Sequence, residues 1–538
     1  MKVVSTEKIR TLDRITIEKF HVPGFLLMER AGRRVADHVI RICRENYPGN
    51  KNITIVAGHG NNGGDSFVAA RFLKEEGFVV NVLLAGVIAD LHGDALEHFK
   101  QMSKSRISAR ELPTEKDWQQ LDACQPGTQS ELPAVVVDGV LGTGISGPVH
   151  GTAALAIRFI NSLSNKSCVL SIDVPSGLNS DTGRVEGEAV RADLTVTMGL
   201  PKKGLIQQCA LEYSGKLEVA DIGFPPQLLA EIESSIELIT GDDIAPMFPR
   251  RKRVSHKGDF GHLLILGGSA GYSGAIALAA GAAVRSGVGL VSVVVPEHLV
   301  PVTAAAVPEA MVHGASATET GSLDDSLWDA WEGKLGNFTA LLAGPGMTRH
   351  AATRRLIEKI LHAGKLPLLL DADALNVFEG EASKLSARKE KLVITPHPGE
   401  MARLLGITTQ EVQSNRFEVA GKAAMLTGST VVLKGAATLA TEKDGKIYVN
   451  LTGNPGMASG GMGDVLSGLL GGLLAQRMPP LDAARAAVYL HGRAGDLAAA
   501  QKTENAIIAR DLIACLPEAF LETITPQANH GSFRHPPP

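Results

Sequence analysis

The sequence has few cysteines, and their spacing excludes several classes of protein. There are five cysteines in 538 residues, and no two of them form a Cys-x-x-Cys motif. We therefore expect neither a disulfide framework nor a cysteine-based zinc site, and a reducing compartment fits this composition. Charged residues occupy the N-terminal stretch where a signal peptide would have its apolar core. These features predict a cytoplasmic protein.

The chain also lacks long apolar and long basic runs. No stretch of about 18 apolar residues is free of charge, so no membrane span is expected. The formal net charge is −4, so nucleic acid and anionic membranes are not expected as partners. The short basic cluster Arg250–Arg253 is either an anion-binding edge or a solvated linker, and its residue types favour the linker. The remaining composition, 44% hydrophobic and 20% charged, is typical of a globular protein, and this length predicts about two to four domains.

Three β-branched runs in the first half end in polar, Gly-rich loops. The runs and the acidic residues that follow them are 53–56 with Asp65, 134–137 with Asp138, and 169–172 with Asp173. A helical pattern from Ser66 to Glu76 joins the first run to another at 79–84, which makes a βαβ unit. Because the carboxyl ends of parallel strands share one edge of a sheet, we expect the three carboxylates to lie together there.

The first of these loops is not an ordinary dinucleotide fingerprint. It reads Gly60-Asn-Asn-Gly-Gly-Asp65 and does not satisfy Gly-x-Gly-x-x-Gly. Asn61, Asn62 and Asp65 suit ribose hydroxyls, a carboxamide or a cation, and the alternative is a turn rich in turn-forming residues. A carboxylate, an amide oxygen and a hydroxyl from Asp138, Asn62 and Ser176 would also make an all-oxygen cation site.

The second half repeats the order strand, polar loop, helix, which predicts a second and larger α/β domain. The strand-like segments are 262–266, 288–295, 341–343, 366–370, 392–394, 430–434, 438–441 and 446–450. The last two flank Asp444-Gly445, which predicts a hairpin. The polar groups again follow the strands, so the same edge of this sheet is the expected site.

The stretch 453–468 is the most informative part of the second half. It is a Gly/Pro-rich loop that runs into an apolar helix beginning near Asp464. A helix N-terminus with adjacent glycines binds phosphate through free backbone N–H groups. A carboxylate there would repel phosphate, so Asp464 indicates a reaction in which it is the general base on a hydroxyl. The alternative is a turn with Asp464 as the helix N-cap.

Two further segments of the second half carry candidate site residues. His397 lies between two prolines, and it is either a site residue or a buried structural histidine. Lys434-Gly-Ala-Ala-Thr438 suits a nucleotide phosphate and ribose, or it is the start of the hairpin.

These residues resemble those of the bifunctional NAD(P)H-hydrate repair enzyme family over about residues 1–515. The matching motifs of the first half are Gly-Asn-Asn-Gly-Gly-Asp (60–65), Val-Asp-x-x-x-Gly-Thr-Gly (137–144), Asp-Val-Pro-Ser-Gly-Leu-Asn-Ser-Asp-Thr-Gly (173–183) and Gly-Leu-Pro-Lys-Lys-Gly-Leu (199–205). Those of the second half are His-Lys-Gly-Asp-Phe-Gly (256–261), Thr-Pro-His-Pro-Gly-Glu-Met (395–401) and Gly-Asn-Pro-Gly-Met-Ala-Ser-Gly-Gly-Met-Gly-Asp (453–464).

The resemblance implies an α/β fold with a Rossmann-like three-layer epimerase domain (1–235) and a ribokinase-like dehydratase domain (236–520). The polar composition of the end of the sequence predicts a disordered tail (521–538). It implies epimerisation of the R and S hydrates of NADH and NADPH, and ADP-dependent dehydration of the S form to NAD(P)H with AMP and phosphate as products. Expected ligands are NADHX or NADPHX, ADP, Mg²⁺ on the nucleotide phosphates, and K⁺ in the epimerase domain. We also expect a homo-oligomer.

The resemblance also assigns residues to both sites. In the epimerase, the hydrate would contact Asn61, Asn62, Gly63, Gly64, Asp65, Gly142, Thr143, Gly144, Ile145, Ser146, Gly147, Pro148 and Asp173, and K⁺ would bind Asn62, Asp138 and Ser176. In the dehydratase, the hydrate would contact Ala275, Gly346, His397 and Asp464, and the nucleotide would contact Lys434, Gly435, Ala436, Ala437, Thr438 and Gly463. Asp464 is the predicted base of the dehydratase, and Asp173 is the candidate acid or base of the epimerase.

Two other functions fit parts of the pattern. The first is a kinase for a small alcohol, such as a vitamin precursor, fused to a nucleotide-binding Rossmann-like domain. The second is a binding or scaffold protein whose first domain has lost catalysis. A stable phosphorylated product would indicate the kinase, and hydrate binding without R/S interconversion would indicate the scaffold.

Overall fold

The structure is a computed structural model that describes residues 1–123, 132–145, 147–364, 366–388 and 391–525. It divides into two units, Lys2–Ser234 and a second unit that begins at Ser235. No helix of the described residues is long and apolar enough to cross a bilayer.

The first unit is built on a seven-stranded parallel sheet within the described residues. In chain order the strands are β1 (Asn52–Ala57), β2 (Val79–Leu84), β3 (Ala109–Glu111), β4 (Val135–Gly139), β5 (Cys168–Ile172), β6 (Leu194–Met198) and β7 (Lys216–Ala220). Their order in the sheet is β3-β2-β1-β4-β5-β6-β7, and every neighbouring pair is parallel. The chain therefore changes direction across the sheet between β1 and β4, and a ligand crevice opens at such a switch point.

Helices cover both faces of this sheet. They are α1 (Thr6–Glu18), α2 (Gly24–Asn46), α3 (Asn61–Glu75), α4 (Gly93–Lys104), α5 (Glu115–Ala123), α6 (Gly151–Leu163), α7 (Leu211–Ser214) and α8 (Pro226–Glu231). Successive residues of a strand point to opposite faces, and accordingly Ile55 belongs to the apolar cluster on the α2 and α3 side and Val56 to the one on the α6 side. The result is three layers.

Helix α3 begins at Asn61, five residues before the start predicted from the sequence. Residues 61–65 are therefore its first turn and not a free loop. A Cβ on Gly63 would lie 1.9 Å from the carbonyl oxygen of Gly58, so this glycine permits a close approach of two backbone segments. The Asn/Gly composition predicted a turn because that tertiary contact is invisible in the sequence.

The second unit has a ten-stranded mixed sheet in its described part. The strands are β8 (Ile236–Leu238), β9 (His262–Leu266), β10 (Leu290–Pro296), β11 (Met311–Ala315), β12 (Ala340–Ala343), β13 (Leu368–Leu370), β14 (Leu392–Ile394), β15 (Thr430–Leu433), β16 (Thr438–Thr441) and β17 (Ile447–Asn450). Their order is β11-β10-β9-β12-β13-β14-β15-β16-β17-β8, and the switch point lies between β9 and β12. Strands β16 and β17 pair antiparallel, so the predicted hairpin is confirmed.

The helices of the second unit include the one that begins in the 453–468 stretch. They are α9 (Gly241–Ile244), α10 (Ser273–Arg285), α11 (Val300–Ala306), α12 (Leu327–Trp331), α13 (Ala351–Ala363), α14 (Asp373–Asn376), α15 (Pro398–Leu405), α16 (Thr409–Ser414), α17 (Arg416–Thr427), α18 (Met462–Ala475), α19 (Pro480–Lys502) and α20 (Ala509–Ile524). Because α20 ends at Ile524, the first residues of the predicted tail are helical, which corrects its start; residues 526–538 lie outside the described part. A Cβ on Gly468 would lie 1.9 Å from Ala279 O, so α10 and α18 cross at a point that only glycine fits.

Candidate functional site

The N-terminus of α3 is attached to the switch point of the first sheet by Asn62. Its Nδ2 donates to Leu141 O at 3.0 Å, just beyond β4, and to Ile172 O at 2.8 Å, at the end of β5. Gly142 is required beside it, because a Cβ there would lie 2.4 Å from Asn62 Oδ1. The predicted residues Asn62, Gly63, Gly64 and Asp65 are buried at this point, whereas Asn61 is exposed.

Asp138 is fully buried at the end of β4 and accepts four hydrogen bonds. One carboxylate oxygen accepts from Ser176 Oγ at 2.6 Å and Val140 N at 3.3 Å; the other accepts from Ser171 Oγ at 2.8 Å and Ser176 N at 2.9 Å. Burial raises the pKa of Asp138, and the hydrogen bonds from Ser176 and Ser171 oppose that shift. Asp138 and Ser176 thus form one rigid oxygen cluster, beside Asn62.

Asp173 follows β5 and is held by a buried lysine. Lys202 is 1% exposed, and its Nζ donates to Asp173 Oδ1, to Thr197 Oγ1 at 3.0 Å and to Met198 O at 2.9 Å. Met198 N also donates to Asp173 Oδ1 at 3.0 Å. Asp173 has a φ of 67°, an uncommon conformation for a non-glycine residue, and these contacts fix it there.

Two more carboxyl groups face the Lys202–Asp173 pair. Burial raises the pKa of Asp13, on α1, to about 6, while Lys202 lowers it and Asp173 raises it. Burial, with Asp173 and Asp13, raises the pKa of Asp65 well above its usual range. Asp65 is 7% exposed, and its carboxyl makes no hydrogen bond to a described residue. A carboxylate paired with a lysine beside two carboxyl groups of raised pKa is an arrangement suited to proton transfer.

The predicted loop Gly142–Pro148 lines an open cavity of about 620 Å³ through Thr143, Gly144 and Ile145. Arg10 of α1 donates from Nη2 to Thr143 O at 3.1 Å and attaches the loop to that helix. Gly147 and Pro148 are exposed. Ser146 was also predicted to contact the hydrate, and it lies outside the described residues.

The second site lies at the N-terminus of α18, which begins at Met462, two residues before the predicted start. The first helical hydrogen bond runs from Val465 N to Gly461 O at 3.1 Å. The N–H groups of Met462, Gly463 and Asp464 find no acceptor among the described residues, as expected for an anion-binding helix end. Asp464 is the third residue of the helix, so it is not the N-cap; that position belongs to Gly461.

The carboxyl of Asp464 is half-buried and accepts no hydrogen bond from the described part of the chain. Burial, followed by the charge of Asp371, raises its pKa to about 7, and Lys434 opposes the shift. A carboxyl group with a pKa near neutrality and a free lone pair is well suited to accept a proton.

Polar groups at the ends of three neighbouring strands converge on this helix end. Asp371 follows β13, is 1% exposed and pairs with Lys434 Nζ, beyond β15, at 2.8 Å. Burial opposes the charge of Lys434, but Asp371 and Glu400 raise its pKa above the ordinary lysine value. Ser467 Oγ of α18 donates to the other oxygen of Asp371.

His397 follows β14 and caps α15. Its Nδ1 accepts from Gly399 N at 3.0 Å and Glu400 N at 3.3 Å, and Glu400 Oε2 accepts from His397 N at 2.7 Å. The imidazole is 53% exposed, so it is not a buried structural histidine. Because Nδ1 is an acceptor, Nε2 carries the proton; it lies 3.5 Å from Glu400 Oε1 and can still donate to a ligand. Burial lowers the pKa of this histidine.

The predicted nucleotide segment Lys434–Thr438 is shaped by a buried arginine on α17. Arg416 is 5% exposed, and its Nη2 donates to Leu433 O at 3.2 Å and to Ala437 O at 3.3 Å. Burial lowers the pKa of Arg416 to about 10. Ala437 has a φ of 54°, an uncommon value outside glycine that these bonds stabilise. Thr438 Oγ1 donates to Gly435 O at 2.7 Å, and Ala436 is exposed between them.

Ala275 and Gly346 lie at the switch point between β9 and β12. Gly346 has a φ of 68°, and a Cβ there would lie 2.7 Å from Tyr272 O, immediately before α10. Ala275 is the third residue of α10. A Cβ on Gly463, also predicted to contact the nucleotide, would lie 3.4 Å from Lys434 Nζ.

The structure also brings to these sites six residues that were not predicted from the sequence: Asp13, Lys202, Asp371, Glu400, Arg416 and Ser467. Asp371 had a usable signal, since it ends a buried strand just as Asp138 and Asp173 do. Lys202 and Glu400 lie inside motifs quoted above. Asp13, Arg416 and Ser467 lie within helices without any local pattern that marks them.

The fold and the sites define a protein with two α/β units, each of which has a polar site at the switch point of its sheet. In the second unit this site includes a helix N-terminus of the kind that binds phosphate. Residues 25–204 match the family described as YjeF-related protein N-terminus, and residues 263–518 match NAD(P)H-hydrate dehydratase. The chain is 39% identical to the bifunctional NAD(P)H-hydrate repair enzyme Nnr of Moorella thermoacetica, over 96% of each chain. It is 33% identical to that of Escherichia coli, over 99% of this chain and 96% of the relative.

The chain belongs to the bifunctional NAD(P)H-hydrate repair enzyme family. The predicted family and the predicted α/β fold class are thereby confirmed, and the small-alcohol kinase is not favoured. Among solved structures, the chain resembles an ADP/ATP-dependent NAD(P)H-hydrate dehydratase from Bacillus subtilis co-crystallised with ATP/Mg²⁺. That likeness has 30% identity and a TM-score of 0.46, and it covers 53% of this chain and 98% of that one.

Proposed function

We propose that this chain repairs hydrated nicotinamide dinucleotides in two steps. The first unit interconverts the R and S hydrates of NADH and NADPH. The second unit converts the S hydrate and ADP into NAD(P)H, AMP and phosphate. Membership of the family supports both activities. Within the molecule, the observation that carries the proposal is the unpartnered Asp464 carboxyl in the first turn of α18, with its raised pKa.

In the second unit the chemistry is the conversion of a poor leaving group into a good one. Asp464 accepts the proton of the C6 hydroxyl as that oxygen attacks the β-phosphorus of ADP, and AMP leaves. The free N–H groups of Met462 and Gly463 stabilise the charge on the transferred group. Phosphate then departs from C6 and takes up the proton that C5 loses, which forms the C5–C6 double bond and restores the dihydronicotinamide ring. His397 Nε2–H is available to orient the hydrate.

In the first unit, inversion at C6 can proceed by opening of the ring: a base takes the proton of the C6 hydroxyl as the C6–N1 bond breaks to give an aldehyde, and an acid protonates N1. Closure of N1 on the other face of the aldehyde reverses both proton transfers. Asp173, which pairs with Lys202, is our candidate base. Asp65 and Asp13 lie beside it, and because burial raises the pKa of both carboxyl groups, they are the available proton donors. The loop Gly142–Pro148 and the first turn of α3 would enclose the substrate.

The oxygen cluster of the first unit fits K⁺ in the type of its donors, with one carboxylate and several neutral oxygens. Asp138, Ser176 and Asn62 would hold it, together with the carbonyl of Leu141, which accepts from Asn62 Nδ2. By attracting these oxygen atoms, K⁺ would hold together the loops that follow β4 and β5. In the second unit, no group of three or more His, Cys, Asp or Glu among the described residues could hold a metal ion. Mg²⁺ would therefore be carried mainly by the phosphates of ADP.

The test is to incubate mixed R and S hydrates with the protein and ADP or ATP, and to follow the absorbance of the reduced nicotinamide. Full recovery with both isomers supports both activities, whereas recovery of half the hydrate supports the dehydratase alone. A stable phosphorylated product without recovered absorbance would support the kinase and contradict the proposal. Comparison of the two nucleotides decides which one is the co-substrate.

A further inference from the structure

A buried carboxylate behind the second site connects the helix that bears Asp464 to two strand ends. Asp371 Oδ1 accepts from Lys434 Nζ at 2.8 Å and from Thr395 Oγ1 at 2.8 Å. Asp371 Oδ2 accepts from Ser467 Oγ of α18. Burial acts to raise the pKa of Asp371, but the Lys434 charge and these hydrogen bonds hold it below its usual value, so the group is ionised.

Ser467 lies one helical turn after Asp464, on the same helix. Its Oγ also lies 3.0 Å from Gly463 O, so it contacts the turn that carries Asp464. Ser467 is fully buried and has no access to a substrate. Its bond to Asp371 therefore fixes the rotation and height of the first turn of α18 relative to the sheet.

Lys434 supplies the positive charge at this point. Its Nζ lies 2.8 Å from Asp371 Oδ1 and 3.6 Å from Glu400 Oε2, and it also acts on Asp464. With its ammonium directed at these buried carboxylates, Lys434 has little freedom to follow a nucleotide phosphate.

The charged groups that act on Asp464 are Asp371 after β13, Asp373 of α14, Glu400 of α15 and Lys434 after β15. Two histidines lie close to these elements: His397, the N-cap of α15, is near Glu400, and His491 of α19 contacts Met462 in the first turn of α18. The carboxylates outnumber the cation. His491 is neutral because burial lowers its pKa to about 4, and its Nε2 donates to Met462 O at 2.9 Å.

We propose that Asp371, Ser467 and Lys434 are positioning residues for Asp464: Asp371 and Ser467 hold the first turn of α18, and the Lys434 ammonium balances the carboxylates around the base. This inference rests on the proposed dehydratase activity. It reassigns the side chain of Lys434 from the nucleotide to Asp464, and it leaves the nucleotide contacts of this segment to Gly435–Thr438.

Two variants that change the charge around Asp464 in opposite directions should shift the pH dependence of kcat in opposite directions. A merely structural role would not produce such opposite shifts. Lys434→Met removes the positive charge and should move the acidic limb of the kcat–pH profile up by about one pH unit. Asp371→Asn removes a negative charge and also frees Lys434 to act on Asp464. It should move the same limb down by about one pH unit.

Ser467→Ala should lower kcat about 10-fold with little change in the KM for hydrate, because Ser467 does not touch substrate. Its matched control is Thr395→Val, which removes another hydrogen bond to Asp371 but leaves α18 attached; kcat should fall less. Thermal unfolding of all variants checks that the second unit is folded. If Asp371→Asn does not fold, Lys434→Met and Ser467→Ala still test whether these residues position Asp464.

The inference is overturned if the two charge variants leave the limb unmoved or move it in the same direction. It is also overturned if Ser467→Ala and Thr395→Val lower kcat equally, or if Lys434→Met only raises the KM for ADP. Failure of the wild-type protein to regenerate NADH from S hydrate is a different result, since it contradicts the proposed function and not the positioning.

Discussion

Lys202 and Asp173 form a buried ion pair in which the lysine is 1% exposed and makes every one of its three hydrogen bonds within the first unit. Removal of one partner of a buried pair leaves the other charge without compensation, at a cost of about 3–5 kcal/mol. Loss of Lys202 should therefore both destabilise the first unit and disturb Asp173, its candidate base.

Lys202→Met should lower the free energy of unfolding of the first unit by about 3–5 kcal/mol and abolish most epimerisation of R hydrate. The matched control is Lys203→Met, one residue away in the same motif, because Lys203 is exposed. Urea unfolding and conversion of R to S hydrate measure the two effects. Equal behaviour of the two variants would contradict a role for the pair.

Asp464→Asn should lower the dehydratase kcat by on the order of 10²-fold or more, since the base is lost, and leave epimerisation intact. In the wild-type enzyme the ionised base is active, so kcat should fall as the pH drops below about 7, the pKa of Asp464. Asp482→Asn, a change in the first turn of α19, should have no such effect. Near-normal turnover by Asp464→Asn would remove Asp464 from the mechanism.

Arg416→Lys should raise the KM for ADP by about 10-fold or more, because a lysine cannot span the carbonyl oxygens of Leu433, Lys434 and Ala437. The kcat at saturating ADP should change less, since Arg416 lies behind the nucleotide segment. Lys422→Ala, on the exposed side of α17, is the control. An unchanged KM for ADP would show that the segment keeps its shape without this arginine.

Replacement of K⁺ by a large organic cation such as tetramethylammonium should weaken hydrate binding or epimerisation and spare dehydration of the S hydrate. The reason is that the oxygen cluster around Asp138 belongs to the first unit alone. Ser176→Ala should reduce the K⁺ dependence along with the activity. Epimerisation that is indifferent to the cation in the wild-type protein would argue against a K⁺ site.

His491 should make the second unit less stable in acid. Its folded-state pKa of about 4 lies below the unfolded value near 6.5, so between these values the unfolded chain binds more protons and stability falls as the pH decreases. The contribution amounts to about 3 kcal/mol when integrated. His491→Asn should flatten this part of the curve in denaturant titrations at pH 4 to 7. A wild-type curve with the same slope as the variant would contradict the assignment.

The predicted cytoplasmic location and homo-oligomer remain predictions, as do the individual site assignments until such variants are measured. Most strands lie within two residues of their predicted bounds, because buried parallel strands are short, continuous β-branched or leucine runs. The predicted helix starts are less accurate where a helix begins in glycines. Both α3 and α18 start earlier than predicted; in α3 the reason is that Gly63 serves a close contact with the Gly58 carbonyl and not a loop.

The sequence by itself determined the family, the α/β class and the residues that end each strand, since those features depend on local composition and motif order. Only the tertiary structure decided which groups face one another. It buried Lys202 against Asp173, directed Lys434 to Asp371, and fastened Ser467 behind Asp464. These pairs are 29, 63 and, for Ser467 and Asp371, 96 residues apart in the chain, so no local pattern encodes them. The ionisation of a carboxyl group depends on the charges and burial around it, and those exist only once the strands have aligned their ends.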